Sequence, residues 1–409
     1  MPSEKQGAIV NNLHVHSEDK IHLNIMNEMT ETQDELEVIA RLDERMNIER
    51  THANGEMTTF IHNDYASGHL YMIEQFVKDI EKGWKGGFIE EASRYSGVKI
   101  YREKYLDKHY YRLVNSWIRR YSGLYRYSAR VEVFYDVCKK MTLLDCSDRE
   151  RFWFGEPDET DMYCGIRYMD WFSALIKKIQ VRCQSREFRE RERLRVINAK
   201  RNEENVLAME EAMFSEEGKS RWLVLSLTLK YKPKYRRWIT PATIRMHRDK
   251  LFASRRANKL MAGIKNYVCR IEQGGDTGLH LHVIVFYSAE SNRDELIAKQ
   301  IGEYWENEVT EGKGEYWSSN QGWLKKRYEE KGHGIGVGQI NWNDYEKRAS
   351  LRRNLVYLAK AEQYLMLRAD EGMRTFTMGN VPKKEISGRP RGKMDEIACR
   401  GYLKPPLTG

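Results

Sequence analysis

The segment Gly278-Leu-His-Leu-His-Val-Ile-Val-Phe-Tyr287 decides the fold of this chain. It is apolar, rich in β-branched residues and preceded by a glycine-rich turn, which predicts a buried β-strand. Side chains two residues apart on a strand point to one face, so His280 and His282 project together, opposite to Leu281. Two imidazoles on one face can share a divalent metal. The pair His14-Val15-His16 has the same spacing, but no strand follows it, and we discount it.

Glu272 is placed to complete a metal site with these histidines. Ile264–Ile271 predicts a second strand, and Gly274-Gly275-Asp276 predicts the turn of a β-hairpin. The hairpin brings the Glu272 carboxylate back beside His280 and His282. Two imidazoles and one carboxylate leave coordination positions open for water or phosphate oxygens, which suits Mg²⁺ or Mn²⁺. The alternative is that Glu272 is an ordinary salt-bridge partner at a strand end.

The elements around the hairpin complete an α+β pattern. Trp222–Leu229 is an apolar strand, and Thr240-Pro241 predicts the start of a helix that runs to Leu260. A helix over Asn292–Val309, a glycine-rich strand over Gly334–Ile340 and a helix over Trp342–Leu367 follow. The order β-α-β-β-α-β-α predicts a ferredoxin-like antiparallel sheet with helices on one face.

The patterning divides the chain into four regions. Residues 1–60 are acidic and predict a partly disordered arm with one helix near Glu35–Ile48. Residues 61–218 are predicted to be mostly helical, because apolar side chains recur at helical spacing over 70–82, 105–140 and 170–215. The α+β domain then covers 219–380, and 381–409 form a basic tail.

Composition points to a cytoplasmic protein. The chain has 409 residues, 32% of them charged, and a mean hydropathy of −0.73. No apolar run approaches the roughly 20 residues of a membrane span, and the charged N-terminus does not continue into the apolar stretch of a secretory signal. The six cysteines form no CxxC pair, so we expect reduced thiols instead of a zinc module or a disulfide framework.

Positive charge is concentrated in the first 50 residues of the α+β domain, over the first predicted strand and the residues that follow it. Residues 221–270 alone carry about +13, interleaved with aromatic residues such as Tyr235 and Trp238. Cations neutralise phosphates and rings stack on unpaired bases, so this segment suits single-stranded nucleic acid. The candidate contacts are Lys230, Lys232, Lys234, Arg236, Arg237, Arg255 and Arg256. The alternative is a solvated helix face.

A tyrosine and a lysine share one face of the last predicted helix. Tyr357 and Lys360 are three residues apart. A tyrosine hydroxyl has a pKa of about 10 and is a poor nucleophile unless a cation or metal favours its phenolate. Tyr364 is expected two helical turns after Tyr357 on the same face. It is a candidate second nucleophile, with packing or DNA contact as the alternatives.

These motifs, in this order, resemble the three motifs of HUH endonucleases. The first is Leu225-Ser-Leu-Thr-Leu-Lys-Tyr231, the second is Glu272 with His280-Leu-His282, and the third is Tyr357-Leu-Ala-Lys360. Within that superfamily, YLAKAEQYL at 357–365 with Arg374-Thr-Phe376 is similar to rolling-circle replication initiators of filamentous phages and related prophages. The resemblance covers about residues 220–380, roughly two fifths of the chain.

The resemblance implies a fold and a set of roles. It implies a sheet like that of an RNA-recognition motif and a divalent cation, Mg²⁺ or Mn²⁺, held by Glu272, His280 and His282. Tyr357 would attack a phosphodiester of single-stranded DNA at a replication origin, leaving a 5′-phosphotyrosine and a free 3′-OH, with Lys360 as its electrostatic helper. Thr228 and Lys230 would belong to the first motif, with a structural or DNA-contacting role.

The resemblance also implies partners in a bacterial cell. The free 3′-OH would prime a host polymerase. No GxxxxGK[ST] phosphate-binding loop occurs in the sequence, so a host helicase is expected as well. The sequence leaves the oligomeric state open.

Two other functions remain open at this point. One is the same chemistry in a transposase or a conjugative relaxase. The other is a non-catalytic DNA-binding protein, which the basic aromatic segment would serve equally well but which leaves Glu272, His280 and His282 without a purpose. Within the nicking hypothesis, Glu362 could activate a water for single-tyrosine termination. Metal dependence separates the classes, because binding alone survives EDTA and nicking does not.

Overall fold

A computed structural model of the chain describes residues 48–53, 56–61, 68–92, 99–144, 154–215, 219–330, 334–360, 365–367 and 374–382, apart from residues 122, 124, 163 and 275–276. The predicted helix near Glu35–Ile48 lies outside these ranges except for its last residue, and so does the basic tail from residue 383 onward. Tyr364 and Glu362 also lie outside the described residues.

The N-terminal half is mostly helical, as predicted. Its helices are α1 (Gly68–Glu81), α2 (Tyr105–Tyr110), α3 (Val114–Arg119), α4 (Ala129–Lys140), α5 (Tyr168–Cys183) and α6 (Arg186–Phe214). Two hairpins, β1 (Ile48–Ala53) with β2 (Glu56–Ile61) and β3 (Phe88–Ala92) with β4 (Lys99–Glu103), precede or interrupt them. The hairpin β1–β2 lies in the segment that the sequence predicts as an arm.

The C-terminal half contains a six-stranded antiparallel sheet. Its strands are β6 (Arg221–Tyr231), β7 (Ile264–Gly274), β8 (Gly278–Tyr287), β9 (Gly314–Ser318), β10 (Gly338–Asn341) and β12 (Phe376–Met378). The order across the sheet is β10-β6-β8-β7-β12, and β9 also pairs with β6 beyond the end of β10. The predicted α+β class is therefore confirmed.

Along the chain, the helices of this half lie between the strands of the sheet. They are α7 (Pro233–Arg236), α8 (Pro241–Ala253), α9 (Lys259–Ala262), α10 (Asp294–Tyr304), α11 (Gly322–Glu330) and α12 (Tyr345–Lys360). One turn of π-helix, Trp305–Val309, extends α10. Thr240 caps α8 as predicted, because its side chain accepts a hydrogen bond from the backbone N–H of Thr243.

Different helices pack on the two faces of the sheet. Because side chains alternate along β6, β7 and β8, odd-numbered and even-numbered residues of β8 belong to different cores. Odd-numbered residues of β8, such as Leu281 and Val283, belong to a core that includes side chains of α8 and α10. Even-numbered residues at the far end of β8, Ile284 and Phe286, belong to a second core that includes side chains of α6 and α12. The even-numbered residues His280 and His282 extend this second face into a polar region.

The second core joins the two halves of the chain. It is continuous from Phe76 of α1 through Met213 of α6 to Trp222 of β6 and Leu355 of α12. The Trp222 indole N–H also donates to the backbone oxygen of Met213. The described elements on either side of the boundary that the sequence predicts near residue 218 therefore share one apolar core.

Several predicted helices end earlier than expected. The helix predicted over 342–367 ends at Lys360, and Leu365–Leu367 forms a short strand, β11, that pairs with β5 (Tyr125–Tyr127). The helix predicted to reach Leu260 ends at Ala253, because Asn258 caps a new turn by accepting from the N–H of Met261. The helical spacing noted over 105–140 corresponds to separate helices interrupted by β5, after which Ser128 caps α4.

Within the described ranges, every helix is too short or too polar to cross a lipid bilayer.

Candidate active site

The register of two neighbouring strand pairs assembles the predicted metal ligands. Glu272 of β7 lies directly opposite His280 of β8, and His282 lies between Thr228 of β6 and Arg270 of β7. All five side chains occupy the same face of the sheet, since each position is even-numbered and paired in register. The hairpin predicted from the sequence thus brings Glu272, His280 and His282 together.

The three side chains lie close enough together to share one small divalent ion. One ligand atom from each lies within 4.8 Å of the others. Glu272 Oε2 lies 2.9 Å from His282 Nε2 and 3.8 Å from His280 Nε2. Two ligands at right angles and about 2.1 Å from a metal are about 3.0 Å apart, so a small rearrangement would place all three around one ion. The donor set fits Mg²⁺ or Mn²⁺, although nitrogen ligands favour Mn²⁺ over Mg²⁺.

Each histidine is oriented by a hydrogen bond at Nδ1, the nitrogen that faces away from Glu272. His280 Nδ1 lies 2.9 Å from the backbone oxygen of Gly278, and His282 Nδ1 lies 3.1 Å from Thr228 Oγ1. A hydrogen on Nδ1 leaves the lone pair of Nε2 directed at the Glu272 carboxylate. Metal-binding histidines are held in this way, with the non-coordinating nitrogen donating to a neighbour.

Arg270 supplies a cation that the sequence analysis missed. Its Nε lies 3.1 Å from Glu272 Oε1, and its Nη1 donates to the backbone oxygen of Leu358 at 3.1 Å. Burial opposes ionisation of Glu272, yet His282, His280 and Arg270 hold the pKa of its carboxyl well below its usual range. The signal was present in the sequence, because Arg270 precedes Glu272 by two residues and shares its face of the strand.

Tyr357 reaches the same carboxylate from α12. Its hydroxyl donates to Glu272 Oε1 at 3.3 Å. Tyr357 is 1% exposed, and Glu272, His280 and His282 are 5%, 2% and 6% exposed. The third predicted motif therefore meets the second, and a phosphate could reach the tyrosine oxygen only through a local opening of the surrounding side chains.

Lys360 points to a different partner. Its Nζ lies 3.1 Å from Glu203 Oε2 of α6. The same pair of helices is joined further along by Glu210, which is fully buried and accepts from the guanidinium groups of Arg348 and Arg352. The later residue of α12 pairs with the earlier residue of α6, so the two helices are antiparallel. The ion pairs hold α12, the helix that carries Tyr357, against α6.

The end of β6 and the loop that follows it bring basic side chains to the edge of the site. Gly278, whose oxygen accepts from His280, has φ +68°, and Arg236 Cβ lies 3.3 Å from the position that a side chain there would take. Arg236 and Lys230 both bind Glu315, at 3.0 and 3.1 Å, and Lys232 binds Glu306 at 2.6 Å. Thr228, which was also predicted to contact DNA, faces His282 and not this basic edge.

The other predicted DNA-contacting residues lie beside aromatic rings. Arg237 stacks on Trp238, which is 66% exposed, with 4.7 Å between guanidinium and ring, and Lys234 lies 4.8 Å from the Tyr235 ring. Arg255 lies 5.0 Å from the Tyr267 ring, and with Arg256 it lines a cavity of about 430 Å³. Cations paired with partly exposed rings are typical of surfaces that bind unpaired bases.

No family model, no curated protein and no solved structure matches this chain.

Proposed function

We propose that this protein is a metal-dependent DNA-nicking enzyme of the HUH type, which cuts one strand with Tyr357 and remains covalently attached to it. The observation that carries the proposal is the convergence of a tyrosine hydroxyl, a carboxylate and two imidazoles from three separate elements on one buried point. Packing alone does not account for four such groups, because apolar side chains fill a buried space without the cost of removing polar groups from water.

The reaction exchanges one phosphoester bond for another. The Tyr357 oxygen attacks the phosphorus and loses its proton, and the bond from phosphorus to the 3′ oxygen breaks. The leaving 3′ oxygen takes up a proton, so the products are a 5′-phosphotyrosine and a free 3′-OH. Attack by a second 3′-OH on the phosphotyrosine reverses these changes, rejoins the strand and restores Tyr357.

The residues around the site have separate proposed roles. Glu272, His280 and His282 would hold the ion, which when bound polarises the phosphate and favours the phenolate of a nearby tyrosine. Arg270 and Thr228 keep the ligands oriented through Glu272 and His282. Arg270 also provides fixed positive charge beside the Tyr357 hydroxyl, which is the part that the sequence analysis assigned to Lys360.

The strand order supports the same family of folds. Strands β6, β7, β8 and β10 lie in the order β10-β6-β8-β7, with α8 between β6 and β7 and α10 between β8 and β10. This order supports a ferredoxin-like split β-α-β sheet, the fold expected of an RNA-recognition-motif-like nuclease domain. Side chains of α8 and α10 belong to one core, on the face opposite to the histidines.

The proposed biological role is the initiation of rolling-circle replication at a single-stranded origin. The nicked strand offers a 3′-OH to a polymerase while the covalent link retains its 5′ end. A polymerase and a helicase of the host cell are the proposed partners, and the bacterial cytoplasm is the proposed location.

A nicking assay tests the proposal. Labelled single-stranded oligonucleotides covering candidate origins are incubated with Mn²⁺, with Mg²⁺ or with EDTA, and cleavage is measured on a denaturing gel. We expect cleavage with either metal in the wild type, none in EDTA, and none in Tyr357→Phe. Tight binding without cleavage under every metal condition would overturn the proposal and favour a non-catalytic DNA-binding protein.

A further inference from the structure

A second cavity lies in the helical half of the chain, separate from the metal ligands. It has a volume of about 320 Å³ and is bounded by β5, α4 and α6 and by the residues just after α3. Its walls combine tyrosine rings with arginine side chains, which is unusual for a space left between packed helices. The tyrosines are 121, 125, 127 and 135, and the arginines are 126, 191 and 195.

Positive charge in this cavity exceeds the negative charge that faces it. Arg191 and Arg195 share one carboxylate, that of Glu132, at 2.7 and 3.3 Å. Lys139 and the exposed Arg126 add two more cations, while Asp136 adds one carboxylate. Nε and Nη2 of Arg191 are buried and have no hydrogen-bond partner among the described residues. Arg191 also lines the cavity, and a small shift of its guanidinium would present Nε and Nη2 to an anion there, since a guanidinium can bind a phosphate through two parallel hydrogen bonds.

The rings give the cavity a second recognition element. Tyr127 and Tyr135 pack at 4.9 Å between ring centroids and are almost fully buried. Tyr121 lies 5.0 Å from Tyr135, is partly exposed, and has the Lys139 ammonium 4.7 Å from its ring. A partly exposed ring beside cations is suited to stack on a base whose phosphate is bound nearby.

The cavity adjoins the candidate active site. The hydroxyl of Tyr125, one of its lining residues, donates to the backbone oxygen of Gln273 at 2.8 Å, and Gln273 follows the metal ligand Glu272. Strand β5, which carries Tyr125 and Tyr127, pairs with β11, which follows the helix of Tyr357. Strand β5 therefore connects the surroundings of Glu272 and Tyr357 to the cavity.

We propose that this cavity binds one nucleotide of the single-stranded DNA that flanks the scissile phosphate. Arg126 and Arg191 hold its phosphate, and Tyr121 stacks on its base. The inference rests on the proposed nicking function. It assigns a substrate-binding role to the helical half of the chain, for which the sequence offered none.

The experiment measures binding without cleavage, in the full-length Tyr357→Phe chain with EDTA. The probe is a fluorescein-labelled oligothymidylate of about 12 nucleotides, a length that one nucleic-acid-binding groove can cover, and anisotropy gives its affinity over a range of salt. Arg191→Ala and Arg126→Ala are compared with Arg193→Ala. Arg193 lies on the same helix as Arg191 but is 58% exposed and pairs with Glu190.

We expect Arg191→Ala and Arg126→Ala to weaken binding about tenfold each, as for the loss of charge-assisted hydrogen bonds. Each should also reduce the slope of log affinity against log salt by about 0.7, and Arg193→Ala should change neither quantity. In Tyr121→Leu, the preference for the oligothymidylate over an abasic strand should decrease, because one stacking contact is lost. Arg126 is exposed, so its variant tests the cavity even if Arg191→Ala fails to fold.

Two results would overturn the inference. One is that the Arg126→Ala and Arg191→Ala variants bind the oligothymidylate as tightly as the Arg193→Ala variant does. The other is displacement of the oligonucleotide from the wild type by a glutamate-rich peptide at lower concentration, which would assign the cavity to an acidic protein segment. The nicking assay separates this failure from failure of the proposed function. Normal cleavage by Arg191→Ala at limiting DNA would contradict only the role of the cavity. Absent cleavage with normal cavity binding would contradict the nicking function and leave the cavity as a site for single-stranded DNA.

Discussion

Tyr357 and Glu272, which are 85 residues apart in the chain, are joined by a hydrogen bond of 3.3 Å between hydroxyl and carboxylate. The carboxylate also contacts Arg270 and both histidines, so one side chain connects the candidate nucleophile to the candidate metal ligands. It follows that any change in how α12 is held against the sheet alters the position of the tyrosine relative to the metal site.

The hydroxyl of Thr228 is predicted to support metal binding. Thr228→Val keeps the shape of the side chain but removes the partner of His282 Nδ1, so the imidazole loses its fixed orientation. We expect the affinity for Mn²⁺, measured by calorimetry in the absence of DNA, to fall by roughly 10–100-fold. Ser226→Ala, on the same strand and face, is the control. Unchanged Mn²⁺ affinity together with weaker DNA binding would show that Thr228 contacts DNA instead.

The buried carboxylate of Glu210 is predicted to hold α12 in place. Glu210→Ala leaves Arg348 and Arg352 without their buried partner, which should lower the free energy of unfolding by about 3–5 kcal/mol. The neighbouring Glu211 binds the same two arginines but is 55% exposed, so Glu211→Ala should cost about 1 kcal/mol or less. Urea denaturation measures both. Equal losses in the two variants would contradict the role given to burial.

Lys360 is predicted to act on α12 rather than on the phosphate. Because its ammonium binds Glu203, Lys360→Met and Glu203→Gln should each slow nicking by about threefold or less, and the double variant should be no slower than either single one. The measurement is the single-turnover rate of adduct formation. A loss of about a hundredfold in Lys360→Met alone, with Glu203→Gln unaffected, would restore the role of electrostatic helper.

Asp107 of α2 is predicted to make the stability of the helical half depend on pH. Burial raises the pKa of its carboxyl to about 6, although the Gly87 N–H donates to it. A pKa raised in the folded state means that the protonated form is favoured. Its contribution is therefore fully present below the ordinary value of 3.8 and is lost as pH rises through about 6.

Asp107→Asn removes this titration and keeps an acceptor for the Gly87 N–H. Relative to the wild type, the free energy of unfolding of the variant should rise by roughly 2–3 kcal/mol between about pH 4 and about pH 7.5. Urea denaturation at both pH values measures the difference between the two proteins, so other titrating groups cancel. A difference that stays constant with pH would show that Asp107 is ionised in the folded protein.

The sequence predicted the centre of the sheet and the proximity of Glu272, His280 and His282 well, because both follow from local patterns. Alternation along β8 and the glycine-rich turn before it were enough to place Glu272 beside His280 and His282. The Thr240 cap of α8 was also readable from residue types alone.

The short edge strands and the helix ends could not be predicted in this way. Strand β9, Gly314–Ser318, has little alternation and exists because it pairs with β6. The segment after Lys360 continues a helical pattern, yet Leu365–Leu367 pairs with β5, a partner more than 200 residues earlier in the chain. Tertiary pairing overrides local propensity at such positions.

The most direct test of the central claim is to locate the covalent link to DNA. Wild-type protein is incubated with a cleavable single-stranded oligonucleotide and Mn²⁺, the DNA is trimmed by nuclease, and the modified peptide is sequenced by tandem mass spectrometry. The account predicts a 5′-phosphonucleotide on Tyr357, formed only with metal and absent from Tyr357→Phe and His282→Ala. A nucleotide on Tyr364 or another residue, or an adduct that forms in EDTA, would contradict it.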